Sequence, residues 1–245
     1  MTYCVALRLD RGLVFMSDTR TNAGLDNISV FRKMRTWIEP GERFITLLTA
    51  GNLATTQAVV SLLDERSKAV GERSHSVLAE PSMFQVARLV GDTLKEVIAA
   101  NSMEGQRADS AFNATMILGG QIGDGEPRLF LIYPEGNFIE ASDDTPFFQI
   151  GETKYGRPIL VRAYDPAMSF EDAIKLLLVS FDSTIKANLS VDLPIDYLTY
   201  ETNTFAPALQ GRVQVADPYF QMISSGWGDA LRLAFDSLPP FTAKG

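Results

Sequence analysis

Threonine stands second in the chain, and the residues after it, Tyr3-Cys4-Val5-Ala6-Leu7, run directly into a strand-like stretch. Removal of Met1 would leave a hydroxyl and a free α-amine on the same residue. A threonine hydroxyl attacks a carbonyl carbon only when a base takes its proton, and an α-amine titrating at about pH 8 is such a base. The chemistry open to such a residue is acyl transfer without a histidine. The competing reading, an ordinary small residue after the initiator methionine, is not excluded by Thr2 alone. The other reactive side chains narrow the choice. His75 is the single histidine, in a polar run, Gly71-Glu72-Arg73-Ser74-His75-Ser76, that reads as a solvated loop. A Ser-His-Asp or Cys-His relay would depend on it, and a catalytic zinc site usually takes more than one imidazole. Cys4 is the single cysteine, which excludes an intramolecular disulfide and a cysteine-cluster metal site and suits a reducing cytoplasm.

Such a nucleophile must be held by a folded scaffold, and the composition provides for one. The 245 residues, 46% hydrophobic and 21% charged, suit one large domain over residues 1–245, without linker, repeat or low-complexity tract. A net charge of -8 with no basic stripe disfavours nucleic acid and anionic membranes as partners. Apolar runs such as Leu176 to Val179 are far too short to span a bilayer, and no signal peptide is expected before Thr2.

The order of elements follows from periodicity and turn chemistry. Thr2 to Leu9 and Leu13 to Ser17 predict a hairpin around Asp10-Arg11-Gly12. Lys33 to Ile38 and Arg43 to Thr49 form a second pair around Glu39-Pro40-Gly41-Glu42, where Pro-Gly is strong turn chemistry. Leu53, Val59, Val60, Leu62 and Leu63 predict a helix after Ala50-Gly51-Asn52. Phe84, Ala87, Val90, Leu94, Val97 and Ile98 predict another after Pro81 and Ser82. Strands return at Ala114 to Gly119, Arg128 to Tyr133 and Phe138 to Glu140. A third helix follows Ser169, with Glu171 and Asp172 in its first turn. Late strands cover Ile195 to Glu201 and Val213 to Val215, and a last helix, Asp217 to Asp236, is interrupted at Ser224-Ser225-Gly226. Blocks of strands and blocks of helices, without βαβ alternation, imply an α+β fold of two antiparallel sheets covered by helices on the outside.

On these residues the chain resembles a proteasome-type β-subunit, an N-terminal-nucleophile hydrolase with a four-layer αββα sandwich. The family carries an N-terminal Thr, an Asp-x-Arg ending the second strand and a Lys opening the third. This sequence has Thr2, Asp18-Thr19-Arg20 and Phe31-Arg32-Lys33-Met34, in that order. The resemblance implies that Thr2 is the nucleophile, that Lys33 places a positive charge beside its hydroxyl, and that Asp18 holds the ammonium. Arg20 is the supporting member of the Asp-x-Arg element. Gly51 matches the family glycine that contacts substrate backbone and donates to the oxyanion hole. Thr21, Phe31, Arg35, Thr49 and Leu53 would line the pocket for the side chain before the cleaved bond. Taken singly, Asp18 and Arg20 also read as a strand-end ion pair, Lys33 as a solvated edge residue and Gly51 as a strand-to-helix break.

The sequence also departs from the family. Where a Gly-Ser-Gly usually binds the nucleophile's amine, the chain has Gly151-Glu152-Thr153, so Glu152, Thr153 or Ser190 is left for that task. The family's later Asp and Ser pair is echoed only around Asp182, Ser183, Asn188, Ser190 and Val191. The tail, with Leu193-Pro194-Ile195-Asp196-Tyr197 and Asp217-Pro218-Tyr219-Phe220, is most similar to the bacterial Anbu branch. The resemblance implies a cytoplasmic threonine-type peptidase acting on peptide or protein in a homo-oligomeric ring or open spiral, with no metal or organic cofactor. The aromatic stripe Tyr219, Phe220, Trp227 and Phe235 either serves subunit packing or packs on its own sheet. Folded substrates would need an ATP-driven unfoldase, which one chain does not reveal. Rival readings are an amidohydrolase or acyl transferase on small peptides or conjugates, and a non-catalytic assembly subunit that retains Met1.

Overall fold

Two strands without a polar face begin the chain. In the computed structural model, which describes residues 2–22, 28–68, 75–101 and 112–242, β1 (Tyr3–Leu9) and β2 (Gly12–Asp18) are buried along nearly their whole length. Their side chains alternate between two cores, as the twofold period of a strand requires. Tyr3, Val5, Leu7, Val14 and Met16 enter a core beneath helices. Cys4, Ala6, Leu13 and Phe15 enter a second core between the two sheets.

The first sheet has the order β10 (Phe147–Gly151), β1, β2, β11 (Ile195–Glu201), β12 (Pro207–Val213), every neighbour antiparallel. The second runs β5 (Met34–Glu39), β6 (Arg43–Gly51), β7 (Ala114–Ile122), β8 (Arg128–Ile132), β9 (Phe138–Glu140), also antiparallel. Alternation along β6 sends Ile45 and Leu47 outward beneath helices, and Phe44 and Leu48 inward to the core between the sheets. The helices α1 (Leu53–Lys68) and α2 (Met83–Asn101) cover the second sheet. The first is covered by α3 (Arg157–Ala163), α4 (Phe170–Ala187) and the start of α5 (Pro218–Asp236). Three apolar cores thus separate four layers, the αββα sandwich of an N-terminal-nucleophile fold.

The expected hairpins and the helices α1, α2 and α4 are present. A two-stranded ribbon of β3 (Arg20–Asn22) and β4 (Ile28–Val30) stands in sequence between the first and second hairpins. The strand β12 ends at Val213 instead of starting there, because Gln210-Gly211-Arg212 breaks the apolar alternation that marks a strand. The helix α5 runs unbroken through Ser224-Ser225-Gly226, started by Asp217, whose side chain accepts from the Phe220 N–H at 3.0 Å. Of its aromatic stripe only Phe220 enters the core, while Phe235 is 74% exposed, so packing on its own sheet accounts for the first turn alone. Among the described residues, no helix is long and apolar enough to cross a membrane. Residues 71–74 of the expected histidine loop lie outside the described residues. His75 itself is at the surface, 3.8 Å from Glu80.

Candidate active site

The hairpin register determines what lies near Thr2. Cys4 faces Ser17 and Leu9 faces Gly12, so the next step along the ladder brings Tyr3 to Asp18. Its backbone N–H donates to Asp18 Oδ1 at 3.0 Å. Asp18 is fully buried, and the same Oδ1 accepts from Lys33 Nζ at 2.7 Å. Lys33 Nζ also donates to the Arg20 carbonyl at 2.5 Å. The lysine reaches the first sheet from the other side of the sandwich. Its own carbonyl accepts from the Thr49 N–H of β6 at 2.9 Å, which fixes its backbone to the second sheet. Arg20 turns outward, donating to Asp192 at 2.6 Å.

Burial pushes the Asp18 carboxyl up to about 6, against the lowering pull of Lys33 and of the Tyr3 N–H. Among the described residues its second oxygen, Oδ2, has no hydrogen-bond partner, which explains why two donors on Oδ1 do not keep the group at its ordinary value. Burial also pushes the Cys4 thiol up, with Asp18 adding to the effect. Cys4 has no exposed surface and its Sγ donates to the Thr49 carbonyl at 3.6 Å. A protonated, closed-off thiol is no rival nucleophile.

The backbone of Thr2 is clamped from β10. The Glu152 N–H donates to the Thr2 carbonyl at 2.7 Å. Gly151, at φ 81°, leaves no room for a side chain, since a Cβ there would lie 1.9 Å from that same carbonyl oxygen. The Glu152 carboxylate accepts from Asn188 Nδ2 at 2.9 Å, and Asn188 Oδ1 accepts from the Ser190 N–H at 2.9 Å. Glu152, Asn188 and Ser190 therefore form one chain of contacts attached to Thr2 through backbone. Thr153 follows in the same loop, half-buried.

Gly51 ends β6 at φ 115°, exposed, where a Cβ would approach the Asn113 carbonyl to 2.3 Å. The chain then enters α1, capped by the Asn52 side chain, which accepts from the Thr55 N–H at 3.0 Å. Thr2, Thr21, Arg32, Lys33, Thr49, Gly51 and Leu53 line one small pocket. Thr56, Gln57 and Val60 of α1 complete its wall. Phe31 and Arg35 lie outside it. Phe31 is at the surface, and the Arg35 guanidinium is drawn to Asp64 of α1, which also accepts from Trp37 Nε1 at 2.8 Å.

Residues 2–192 match the family model described as Proteasome subunit. The chain belongs to the proteasome-subunit family. It is similar to solved Anbu structures over nearly its whole length. Anbu from Hyphomicrobium sp. strain MC1 is 51% identical, with a TM-score of 0.90, over 99% of this chain and 100% of that one. Anbu, the ancestral β-subunit, from Yersinia bercovieri is 46% identical, with a TM-score of 0.91, over 99% and 100%. The helical assembly of the Anbu complex from Pseudomonas aeruginosa is 44% identical, with a TM-score of 0.90, over 99% of both chains. No curated protein matches.

Two contributions to the site of this proteasome-family chain have weak sequence signals. Asn188 meets Glu152 across 36 positions, and only its place in the degraded Asp and Ser element pointed to it. The tie between Thr2 and Glu152 runs through a backbone N–H, which any residue but proline supplies, so residue type at position 152 carries no trace of it.

Proposed function

We propose that this chain, as a single domain, is a threonine-type peptidase whose nucleophile is Thr2 once Met1 has been removed. The observation that supports this most strongly is Asp18 Oδ1, buried and shared between the Tyr3 N–H and Lys33 Nζ. One carboxylate oxygen holds both the strand that follows Thr2 and the one lysine among the described residues lining its pocket. In this reading Thr2 Oγ1 attacks the amide carbonyl and its proton passes to the free α-amine. The amine returns that proton to the leaving amine, and water, activated by the same amine, releases the acyl group as a carboxylate. Lys33 favours the ionised hydroxyl, Asp18 holds Lys33 in place, and the backbone at Gly51 contributes to the oxyanion hole.

Homo-oligomeric assembly, as a ring or open spiral, is part of this proposal. The helical assembly of the Pseudomonas aeruginosa relative supports it. So does α5, which exposes Leu231, Leu233 and Phe235, apolar side chains of the kind that pack against a partner. A cytoplasmic location agrees with the free thiol of Cys4. Intact-mass measurement on protein that hydrolyses peptides should show a chain starting at Thr2. Thr2→Ala should abolish that hydrolysis and leave assembly intact. Retention of Met1 throughout active material, or turnover by Thr2→Ala, would refute the mechanism and favour a different amide chemistry or an assembly role.

A further inference from the structure

The small pocket at Thr2 opens beside a larger cleft of about 530 Å³ between the edges of the two sheets, with Arg32, Lys33, Thr49 and Val60 shared by both. In a chain of net charge -8, this cleft is lined by the cations Arg32, Lys33, Arg35 and Arg212 against one acid, Asp196. Three of the four cations are already engaged. Lys33 is held by Asp18 at 2.7 Å, Arg35 by Asp64 at 3.0 Å, and Arg212 by Asp196 through a fork of 2.6 and 2.8 Å. Arg32 alone has no hydrogen bond or ion pair among the described residues, and its side chain is exposed where pocket and cleft meet.

We propose that Arg32 is a specificity residue of this site, receiving a carboxylate from a peptide that extends out of the Thr2 pocket into the cleft. The proposal rests on the peptidase reading of the pocket and adds the substrate class: peptides with an acidic group near the bond presented to Thr2. A guanidinium offers two parallel N–H donors that match a carboxylate, and a free one in a cleft whose other cations are neutralised has no competing partner. The acidic surface of the whole chain works against such peptides, so selectivity for them requires a local unpaired cation. Arg32 is exposed, which limits the effect to the few-fold range of solvent-screened pairs.

The test uses the Thr2→Ala protein, so that binding is read without turnover. Fluorescent hexapeptides with one Glu moved along a neutral sequence are compared with their Gln counterparts, each with a free or an amidated C-terminus, by anisotropy. At about 0.05 M salt one Glu position should bind roughly three- to tenfold tighter than Gln, and the gap should close at about 0.5 M. Adding Arg32→Ala should erase the gap, Arg32→Glu should invert it and Arg32→Lys should keep part of it. A gap that follows the free C-terminus instead of Glu assigns the carboxylate to the peptide end. Equal affinities, a gap that survives Arg32→Ala, or no binding up to about 1 mM overturns the proposal. Turnover by Thr2→Ala would refute the nucleophile and leave the binding comparison intact.

Discussion

Lys33→Met removes the ammonium that Asp18 faces and keeps a side chain of similar length. Asp18 has no exposed surface and Lys33 retains only 6%, so water cannot replace the lost partner. Two hydrogen bonds disappear, to Asp18 at 2.7 Å and to the Arg20 carbonyl at 2.5 Å, and a buried anion is left beside a single N–H. Breaking a buried pair in this way costs about 3 to 5 kcal/mol. The cost depends on pH, and its sign follows from Asp18. Burial already raises its folded value to about 6, above the unfolded one, and loss of Lys33 raises it further. The folded variant therefore binds a proton that the unfolded chain releases, and its stability falls as pH rises through the raised value. At pH 5 the carboxyl is neutral and only the hydrogen bonds are missed, about 1 to 2 kcal/mol. The variant should thus lose about 3 to 5 kcal/mol relative to the parent at pH 8, and about 2 to 3 kcal/mol less at pH 5. Urea unfolding at both pH values, followed through the buried indole of Trp37, measures this difference. An equal loss at the two pH values, or a loss below about 1 kcal/mol at pH 8, would refute the argument that Asp18 is an ionised group dependent on Lys33.

Two further expectations follow from the same geometry. Gly51→Ala places a Cβ at φ 115° within 2.3 Å of the Asn113 carbonyl. It should cost about 1 to 3 kcal/mol in urea unfolding and lower peptide hydrolysis at least about tenfold through displacement of the β6 end; wild-type stability would show that the strand end yields freely. The profile of log kcat/KM against pH should rise with unit slope as the Thr2 amine deprotonates and steepen towards slope two below about 6, where Asp18 protonates and Lys33 loses its counterion. Asp18→Asn should restore unit slope in that region, and a second slope that persists in this variant would assign the titration to another group.

What could be read from the sequence is what depends on neighbours along the chain. The turn at Asp10-Arg11-Gly12 is such a feature, although Gly12 proves to be the first residue of β2, paired with Leu9, and it is this two-residue loop that carries Asp18 to Tyr3. The αββα layering followed from the order of apolar strands and amphipathic helices for the same reason. Arg35 shows where this kind of reading stops. The family resemblance put it in the pocket wall, yet from β5 it is drawn to Asp64 of α1 at 3.0 Å, and Trp37 adds a second donor to the same carboxylate. No local pattern reveals that competition, because it is decided by where a helix packs on a sheet. The same holds in the opposite direction for Arg32. Its sequence context, between Phe31 and Lys33, marks it as one of several cations, and only the assignment of Asp18, Asp64 and Asp196 to the other three leaves it unpaired. In the proposed mechanism the order of Thr2, Asp18 and Lys33 carries the chemistry of the site in the sequence, whereas the proposed selectivity depends on which charges remain free after folding.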